Sequence, residues 1–277
     1  MKILKELKET KLFLQKIRKK KIKIALIPTM GCIHEGHLSL IRESIKLNYY
    51  SLVTIFVNPT QFNNQKDFEN YPNQLETDIE ILKKNNCNLL YLPFQDELYP
   101  NGLIRKKTIF KFRKLLCDNF RPGHFDGVTT VVENFFKILK PDIAFFGEKD
   151  FQQLKIIEQI VINNKLPIKI HACSSIRNSN GMSQSSRYKN FTKKQINIFN
   201  IISNILKRNI GLLKIEIKLQ TINYLKEELL NSGVSKIDYL EIREEKTLNL
   251  TNKNKNARLF VAFYIDEIRI IDNFLLY

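Results

Sequence analysis

Apolar positions in the first part of the chain form short runs that alternate with amphipathic stretches. Runs of strand length occupy residues 24–27, 52–57, 89–92, 143–146 and 168–170. Residues 110–113 alternate aromatic and basic side chains and are a further strand candidate. The clearest helix repeats apolar residues at helical spacing, at Val128, Val131, Val132, Phe135, Phe136 and Leu139. This alternation predicts an α/β domain with a parallel sheet, helices on both faces and ligands at the carboxyl ends of the strands.

The last part of the chain has a different pattern. Two helical stretches, residues 192–208 and 217–230, precede three strand-like runs at 237–243, 259–265 and 268–272. All eight prolines lie at or before Pro167, and a polar loop follows at residues 177–181. The pattern predicts a second, α+β domain that begins near residues 175–185.

Composition is that of a folded protein, because 43% of the 277 residues are hydrophobic. The formal net charge of +17 raises the alternative of an RNA-binding module. The first 23 residues hold ten basic and two acidic residues, and the remaining excess is spread along the chain. Because the sequence has no aromatic-rich recognition motif, we expect no nucleic-acid partner. The positive charge would equally suit a pocket that binds an anionic small substrate.

Cysteine spacing and the N-terminal segment bear on the compartment. Cys32, Cys87, Cys117 and Cys173 form no CxxC pair, so neither a disulfide framework nor a zinc site is expected. Residues 1–23 are amphipathic and lack the apolar core of a signal peptide, and no apolar run approaches the length of a membrane span. We therefore expect a cytoplasmic protein with no membrane partner.

The sequence His34-Glu35-Gly36-His37 follows the first strand-like run. Two imidazoles three residues apart share one face of a helical turn, and Gly36 allows a nucleotide to approach the backbone. A helix that begins here presents free N–H groups to an anion. The alternatives are an ordinary strand-to-helix turn and a metal site, which needs a further ligand. The Walker pattern for phosphate binding is absent.

Three further segments are candidates for ligand binding. Two follow predicted strands, at their carboxyl ends, and the third is a polar loop suited to phosphate. Gln61 follows the second run, and its amide suits a ligand with hydroxyl and carboxylate groups, although the segment taken alone favours a solvent-exposed loop glutamine. Lys149 follows the run 143–146 and is placed for a phosphate, while Asp150 could cap the next helix. Residues 181–187 combine hydroxyls with Arg187, as in a phosphate grip or a polar linker.

Residues 121–127 carry two glycines around an aromatic residue, before the predicted helix. We interpret this segment as a shaped loop with a structural role, such as the wall of a cleft. Together, the five segments resemble the pantothenate synthetase (pantoate–β-alanine ligase) family in order and spacing. The resemblance runs from about residue 24 to residue 187 and is supported by residues 67–72, 98–100, 238–243 and 271–273.

The resemblance implies a Rossmann-like domain of the HxGH nucleotidyl-transferase type over residues 1–176. A smaller C-terminal α+β domain over 177–277 would follow and close over the site, usually in a homodimer. It also implies a ligase that uses ATP with Mg²⁺ to condense pantoate with β-alanine. The reaction would pass through pantoyl-adenylate and release pantothenate, AMP and pyrophosphate.

Site residues carried over from the family fall into three groups. His37, as proton donor, His34 and Lys149 would act in catalysis, Gln61 and Gln153 would bind pantoate, and Gln61 would also lie near β-alanine. Asp78 would assist Mg²⁺ through water, and the metal ligands are otherwise unassigned. The implied ATP contacts are Met30, Gly31, Cys32, Ile33, His34, Glu35, Gly36, His37, Gly147, Glu148, Lys149, Asp150, Ile176, Gln184, Ser185, Ser186 and Arg187.

Four positions depart from the family pattern. Cys32 stands for Ala, Ile33 for Leu, Gln184 for Met, and Asn178 for an acidic residue. None removes a proposed catalytic side chain, so they bear on local packing and ATP affinity. The nearest alternative is an HxGH enzyme that stops after nucleotide transfer, and the two glutamines argue against it. Residues 63–70 are expected to act as a lid that excludes water from an acyl-adenylate.

Overall fold

The computed structural model describes residues 1–106 and 111–277. Two compact units divide the chain. Unit 1 comprises Met1–Arg113, Arg121–Glu148 and Gln152–Ser174, and unit 2 comprises Lys114–Phe120, Lys149–Phe151 and Ser175–Tyr277. The division predicted between residues 176 and 177 stays a prediction.

Unit 1 contains a six-stranded parallel sheet. Its strands are β1 (Lys2–Leu4), β2 (Ile24–Thr29), β3 (Tyr50–Ile55), β4 (Leu89–Tyr91), β5 (Ile143–Gly147) and β6 (Lys169–Cys173). The spatial order is β1-β4-β3-β2-β5-β6, and every pair is parallel. The chain runs outward from β2 to β3 and β4 on one side, then returns to β5 and β6 on the other. The switch in direction therefore lies beside β2, where open α/β sheets bind ligands.

Helices of unit 1 follow the strands. They are α1 (Leu7–Lys19), α2 (Glu35–Lys46), α3 (Gln65–Glu69), α4 (Leu75–Lys84), α5 (Gln95–Leu98), α7 (His124–Leu139) and, except for its first residue, α8 (Phe151–Asn163). A 3₁₀ turn at Pro59–Gln61 follows β3. The core between α2, α4 and the sheet is formed by residues such as Ile27, Ile41, Val53 and Leu82. Burial of both faces of β2 explains its unbroken apolar sequence.

Unit 2 has a three-stranded antiparallel sheet and two long helices. The helices are α9 (Lys193–Ile215) and α10 (Leu219–Asn231), and the strands are β7 (Lys236–Glu244), β8 (Ala257–Ile265) and β9 (Ile268–Leu275), in that order. The short helix α6 (Cys117–Phe120) also belongs to this unit. Phe199, Leu206, Leu225, Val261 and Phe263 lie in one buried core, which joins both long helices to the sheet. Thr192 and Gln195 form a capping box that begins α9.

The predicted α/β class with an α+β appendage is confirmed, and two local expectations change. Lys2–Leu4, within the segment interpreted as amphipathic, is a strand that pairs with Leu89–Tyr91. Of the candidate strand at 110–113, Phe110 lies outside the described residues. Phe112 has a left-handed φ of 68° and lies in a turn, so residues 111–113 are not a strand. Among the described helices, none combines the length and apolarity needed to cross a membrane.

Candidate functional site

The loop after β2 makes a tight turn before α2. Gly31 and Cys32 have φ angles of 82° and 55°, both in the left-handed region. The position suits Gly31, whereas Cys32 adopts this region with a side chain and needs support from its surroundings. Cys32 is 0% exposed and Ile33 is 1% exposed, so neither side chain reaches solvent.

The support comes from Asp78 of α4. Its carboxylate accepts the N–H of Cys32 through Oδ2 and the N–H of Ile33 through Oδ1, each at 2.7 Å. Gln74 donates its side-chain amide to Oδ1 at 3.2 Å. Asp78 is 1% exposed. Asp78 thus holds the loop, and the water-mediated Mg²⁺ contact implied by the family resemblance stays a prediction.

His34 and His37 lie where the loop becomes a helix. His34 is the N-cap of α2, and its Nδ1 accepts the N–H of Gly36 at 3.1 Å. The neutral His34 ring therefore carries its proton on Nε2. The two imidazole rings stack with centroids 4.1 Å apart and an interplanar angle of 29°. Together with the positive end of the α2 dipole, they form a site suited to anionic oxygens.

Gln61 ends the 3₁₀ turn, and its side chain reaches the loop after β2. Its Nε2 lies 3.0 Å from Sδ of Met30, which brings two separate sequence segments together. Its Oε1 accepts from Nδ2 of Asn58 at 3.1 Å. The exposed-loop alternative for Gln61 is therefore wrong, because both ends of the carboxamide are held within unit 1.

The neighbours of Asn58 decide which way both carboxamides point. Asn58 is fully buried, and its Nδ2 donates to the carbonyl of Gly127 at 3.2 Å, an oxygen that can only accept. Its Oδ1 accepts from the hydroxyl of Tyr99 at 2.7 Å and from the N–H of Thr60 at 3.4 Å. Asn58 must then meet Gln61 with a donor, so Gln61 meets it with an acceptor. The NH₂ group of Gln61 consequently points toward Met30 and presents a donor to any ligand there.

Burial raises the pKa of the Tyr99 hydroxyl above its ordinary value, although hydrogen bonds with Thr60 and Asn58 oppose the shift. Tyr99 therefore keeps its proton at neutral pH and remains a donor to Asn58. This donor is one of the contacts that fix the Asn58 side chain. The orientation of Gln61 thus depends in part on Tyr99, which lies outside the five sequence segments.

Residues 121–127 support Gln61 from the other side. Nδ1 of His124 lies 2.7 Å from the carbonyl oxygen of Gln61, and its Nε2 lies 3.0 Å from Nη1 of Arg121. Because the carbonyl only accepts and the guanidinium only donates, these contacts select the neutral ring with its proton on Nδ1. Gly127 lets α7 approach the 3₁₀ turn, since a Cβ there would lie 2.3 Å from the Thr60 carbonyl oxygen. The segment therefore has the structural role inferred from the sequence: it holds the backbone of Gln61 in place.

The segment after β5 contains further candidates. Gly147 ends β5, and Glu148, Lys149 and Asp150 form a 3₁₀ turn. In unit 2, Nζ of Lys149 lies 3.6 Å from Asp150, and the side chain is 21% exposed. The carbonyl of Lys149 accepts from the Asn273 side chain at 3.0 Å. In unit 1, Gln153 is half-buried in α8.

Residues 176–184 form a small hairpin in unit 2. The N–H of Gln184 donates to the carbonyl of Ile176 at 2.9 Å, and Arg177 bridges to Ser183. At the turn, Oδ1 of Asn178 accepts two backbone N–H groups, so this departure from the acidic family residue keeps the turn closed. The linker alternative is wrong for the hairpin, while Ser185 caps a 3₁₀ turn that begins directly after it and contains Ser186 and Arg187.

Asp272 of β9 anchors that hairpin. Its side chain is fully buried, and Oδ1 accepts from the Ser183 hydroxyl at 2.6 Å. Oδ2 accepts from the Ser183 N–H at 2.8 Å and from Arg177 at 3.1 Å. These contacts fix Arg177 and Ser183 beside β9, and so they fix the point from which the chain continues at Gln184.

The remaining points concern Glu35, the question of a metal site, and two residues without a predicted role. Glu35 pairs with Arg42 on the surface of α2. Within residues 1–106 and 111–277, no group of three or more His, Cys, Asp or Glu side chains is arranged to hold a metal ion. Sequence reasoning missed Asn58 and assigned no function to His124. The signal available was their position, three residues before Gln61 and within the Arg-Pro-Gly-His segment.

Comparison with known proteins gives consistent matches over nearly the whole chain. Residues 2–275 match the family model described as pantoate-beta-alanine ligase. Pantothenate synthetase of Christiangramia forsetii is 39% identical over 274 residues, which cover 96% of this chain and 97% of that protein. The crystal structure of pantoate-beta-alanine ligase from Francisella tularensis, complexed with beta-gamma ATP and beta-alanine, is 37% identical with a TM-score of 0.87, and the match covers 100% and 98% of the chains. Pantothenate synthetase from Thermus thermophilus has a TM-score of 0.91 at 29% identity over both full chains.

Proposed function

Because the chain belongs to the pantoate–β-alanine ligase family, we propose that it condenses pantoate with β-alanine through a pantoyl-adenylate. The observation that carries the proposal is the Gln61 carboxamide, whose acceptor is fixed by Asn58 and whose NH₂ group lies beside Met30 in the loop after β2. A donor at this position suits the carboxylate and hydroxyl oxygens of pantoate. An enzyme that only transferred a nucleotide would not need it.

The proposed reaction has two steps. A carboxylate oxygen of pantoate attacks the α-phosphorus of ATP, the bond from that phosphorus to the bridging oxygen breaks, and pyrophosphate leaves. The amine of β-alanine then attacks the acyl carbon, AMP leaves with the former carboxylate oxygen, and the nitrogen loses a proton. Both steps need alignment and charge neutralisation more than a protein nucleophile.

His34 and His37 supply charge neutralisation in this proposal. The stacked rings at the N-terminus of α2 would face negative oxygens as charge moves onto pyrophosphate, with His37 as the proton donor. Lys149 would bind phosphate, and Gln184, Ser185, Ser186 and Arg187 would add donors to the nucleotide. Gln153 would bind pantoate together with Gln61.

Within the loop after β2, the proposed contacts divide by exposure. Cys32 and Ile33 have buried side chains and N–H groups bound to Asp78, so they support the loop. Met30 and the residues from His34 to His37 remain the proposed ligand-facing part. Burial of Cys32 also argues that its thiol does not enter the chemistry.

Mg²⁺ is proposed to arrive with the phosphates of ATP, which is the usual way that this ion is bound in phosphate-transferring enzymes. Asp78 is not proposed as its direct ligand, because each of its oxygens already accepts a backbone N–H group. We also propose a cytoplasmic homodimer, on the basis of the family resemblance.

Product analysis and isotope exchange test the proposal. With ATP, pantoate and β-alanine, we expect AMP and pyrophosphate in equal amounts with pantothenate. Without β-alanine, we expect ATP–pyrophosphate exchange that depends on pantoate. Formation of ADP and phosphate, or folded enzyme that makes pantothenate without such exchange, would contradict the adenylate route.

A further inference from the structure

The turn at Gly31 and Cys32 aims two consecutive N–H groups, those of Cys32 and Ile33, at one acceptor. Successive N–H groups in such a turn form a concavity that binds anions, as in many phosphate sites. In this protein the anion is internal, because the Asp78 carboxylate accepts both N–H groups at 2.7 Å. Hydrogen bonds of this charge-assisted type are stronger than those between neutral groups.

We propose that Asp78 is a positioning residue, whose carboxylate fills this concavity and fixes the loop that presents His34 and His37 to ATP. The inference rests on the proposed function, since it concerns how the nucleotide is bound. It also assigns the phosphates to the far side of the loop, because the N–H groups of Cys32 and Ile33 already donate to Asp78.

The packing around Asp78 supports a positioning role. A Cβ on Gly31 would lie 3.0 Å from Oδ2, so the close approach of the carboxylate requires glycine. Gln74 donates to Oδ1 at 3.2 Å, which adds a third hydrogen bond to a side chain that is 1% exposed. A hydrated cation needs access that a buried carboxylate with these partners does not offer.

The same contacts join two regions that the reaction uses. Gln74 is the N-cap residue of α4 and lies four residues after the end of the expected lid, residues 63–70. At the other end, Ile33 immediately precedes His34, whose side chain begins α2. Asp78 therefore links the start of α4 to the loop that leads into α2. Both hydrogen bonds are 2.7 Å long, at the short end of the usual N–H···O range.

Asp78→Asn is the direct test, because it keeps the shape and replaces one acceptor oxygen with a donor that opposes a backbone N–H. Glu80→Gln is the matched control, an exposed carboxylate in the same helix. We expect the dissociation constant of Mg–ATP, measured by calorimetry without pantoate, to rise at least tenfold in Asp78→Asn. The KM for pantoate should stay within twofold of the wild-type value, and Glu80→Gln should match wild type throughout.

A Mg²⁺ titration separates positioning from metal binding. Excess Mg²⁺ should not restore ATP affinity to Asp78→Asn, whereas recovery would overturn the proposal in favour of a metal contact. Hydrogen exchange provides a second readout: the Cys32 and Ile33 amides should be protected in wild type and lose protection in the variant. Unchanged ATP affinity with unchanged amide protection would also overturn it.

If Asp78→Asn does not fold, Gln74→Ala tests the same network, since it removes one hydrogen bond and leaves the carboxylate. We expect a smaller rise in the ATP dissociation constant, about threefold by loss of one hydrogen bond to the carboxylate, and no rise would count against the proposal. Calorimetry with ATP alone keeps this test separate from the ligase assay. Wild-type enzyme that binds ATP but shows no pantoate-dependent exchange would refute the proposed function and leave the Asp78 comparison valid.

Discussion

Gly127 gives the sharpest test of how Gln61 is held. A Cβ at this position would lie 2.3 Å from the Thr60 carbonyl oxygen and 2.7 Å from the Gln61 nitrogen, both backbone atoms. In Gly127→Ala, the 3₁₀ turn Pro59–Gln61 must therefore retreat from α7 by about 1 Å to restore normal contact distances. The Asn58–Gly127 hydrogen bond, already 3.2 Å long, would break in the process.

The magnitude follows from two opposing terms. Overpacking of this kind costs about 1–3 kcal/mol, and alanine in a helix regains about 0.5–1 kcal/mol relative to glycine. We expect a net loss of about 1–2 kcal/mol, or a fall in Tm of about 3–6 °C for a chain of this size. A displacement of about 1 Å in a substrate-positioning residue costs on the order of 100-fold in kcat/KM.

Thermal unfolding and steady-state kinetics measure both effects. The KM for pantoate should rise strongly in Gly127→Ala, while the KM for ATP stays within about twofold, because the loop after β2 is held separately by Asp78. Gly211→Ala in α9 is the control, since its Cβ meets no atom within 4 Å and should raise stability slightly. A Gly127→Ala enzyme with wild-type stability and pantoate KM would refute the reasoning.

Three other changes have definite expectations. His37→Ala should remain folded and lose adenylation by about 100-fold or more in single-turnover assays, and wild-type adenylation would remove His37 from the chemistry. Gln61→Ala should weaken pantoate binding more than ATP binding in equilibrium titrations, and equal losses would contradict the assignment of Gln61 to pantoate. Burial raises the pKa of Cys173 to about 12 from 9.0 and that of Cys87 to about 11. The folded state thus retains protons that the unfolded state releases, so the free energy of unfolding measured in urea should fall between pH 9 and 11. Cys→Ala at both positions should flatten that slope, and an unchanged slope would argue against the shifts.

The sequence predicted those strands and helices whose apolar residues follow a regular pattern. The central strands and the α7 helix have unbroken or regularly spaced apolar residues, because they are buried on both faces or on one broad face. The family and the activity were predicted from five segments in register and are confirmed. Their individual contacts with ligand stay predictions.

What could not be predicted depends on contacts distant in sequence. Asp78 and Cys32 are 46 residues apart in the chain, and their hydrogen bond exists only because the fold brings α4 to the loop after β2. Asn58 acts through the carbonyl of Gly127, an atom that every residue type possesses, so no sequence pattern marks it. The strand Lys2–Leu4 was missed for a related reason, because three residues carry too short a pattern to distinguish a strand from a helix start.

That short strand has a consequence for handling the protein. Lys2–Leu4 occupies the outer edge of Leu89–Tyr91, whose three residues are all buried. Removal of the first residues, or their displacement by a bulky N-terminal fusion, would uncover a row of backbone donors and acceptors beside an apolar strand. Such an edge is a template for strand addition by another chain. Preparations with intact and with trimmed N-termini should therefore differ in aggregation during refolding, even where their enzymatic activity is the same.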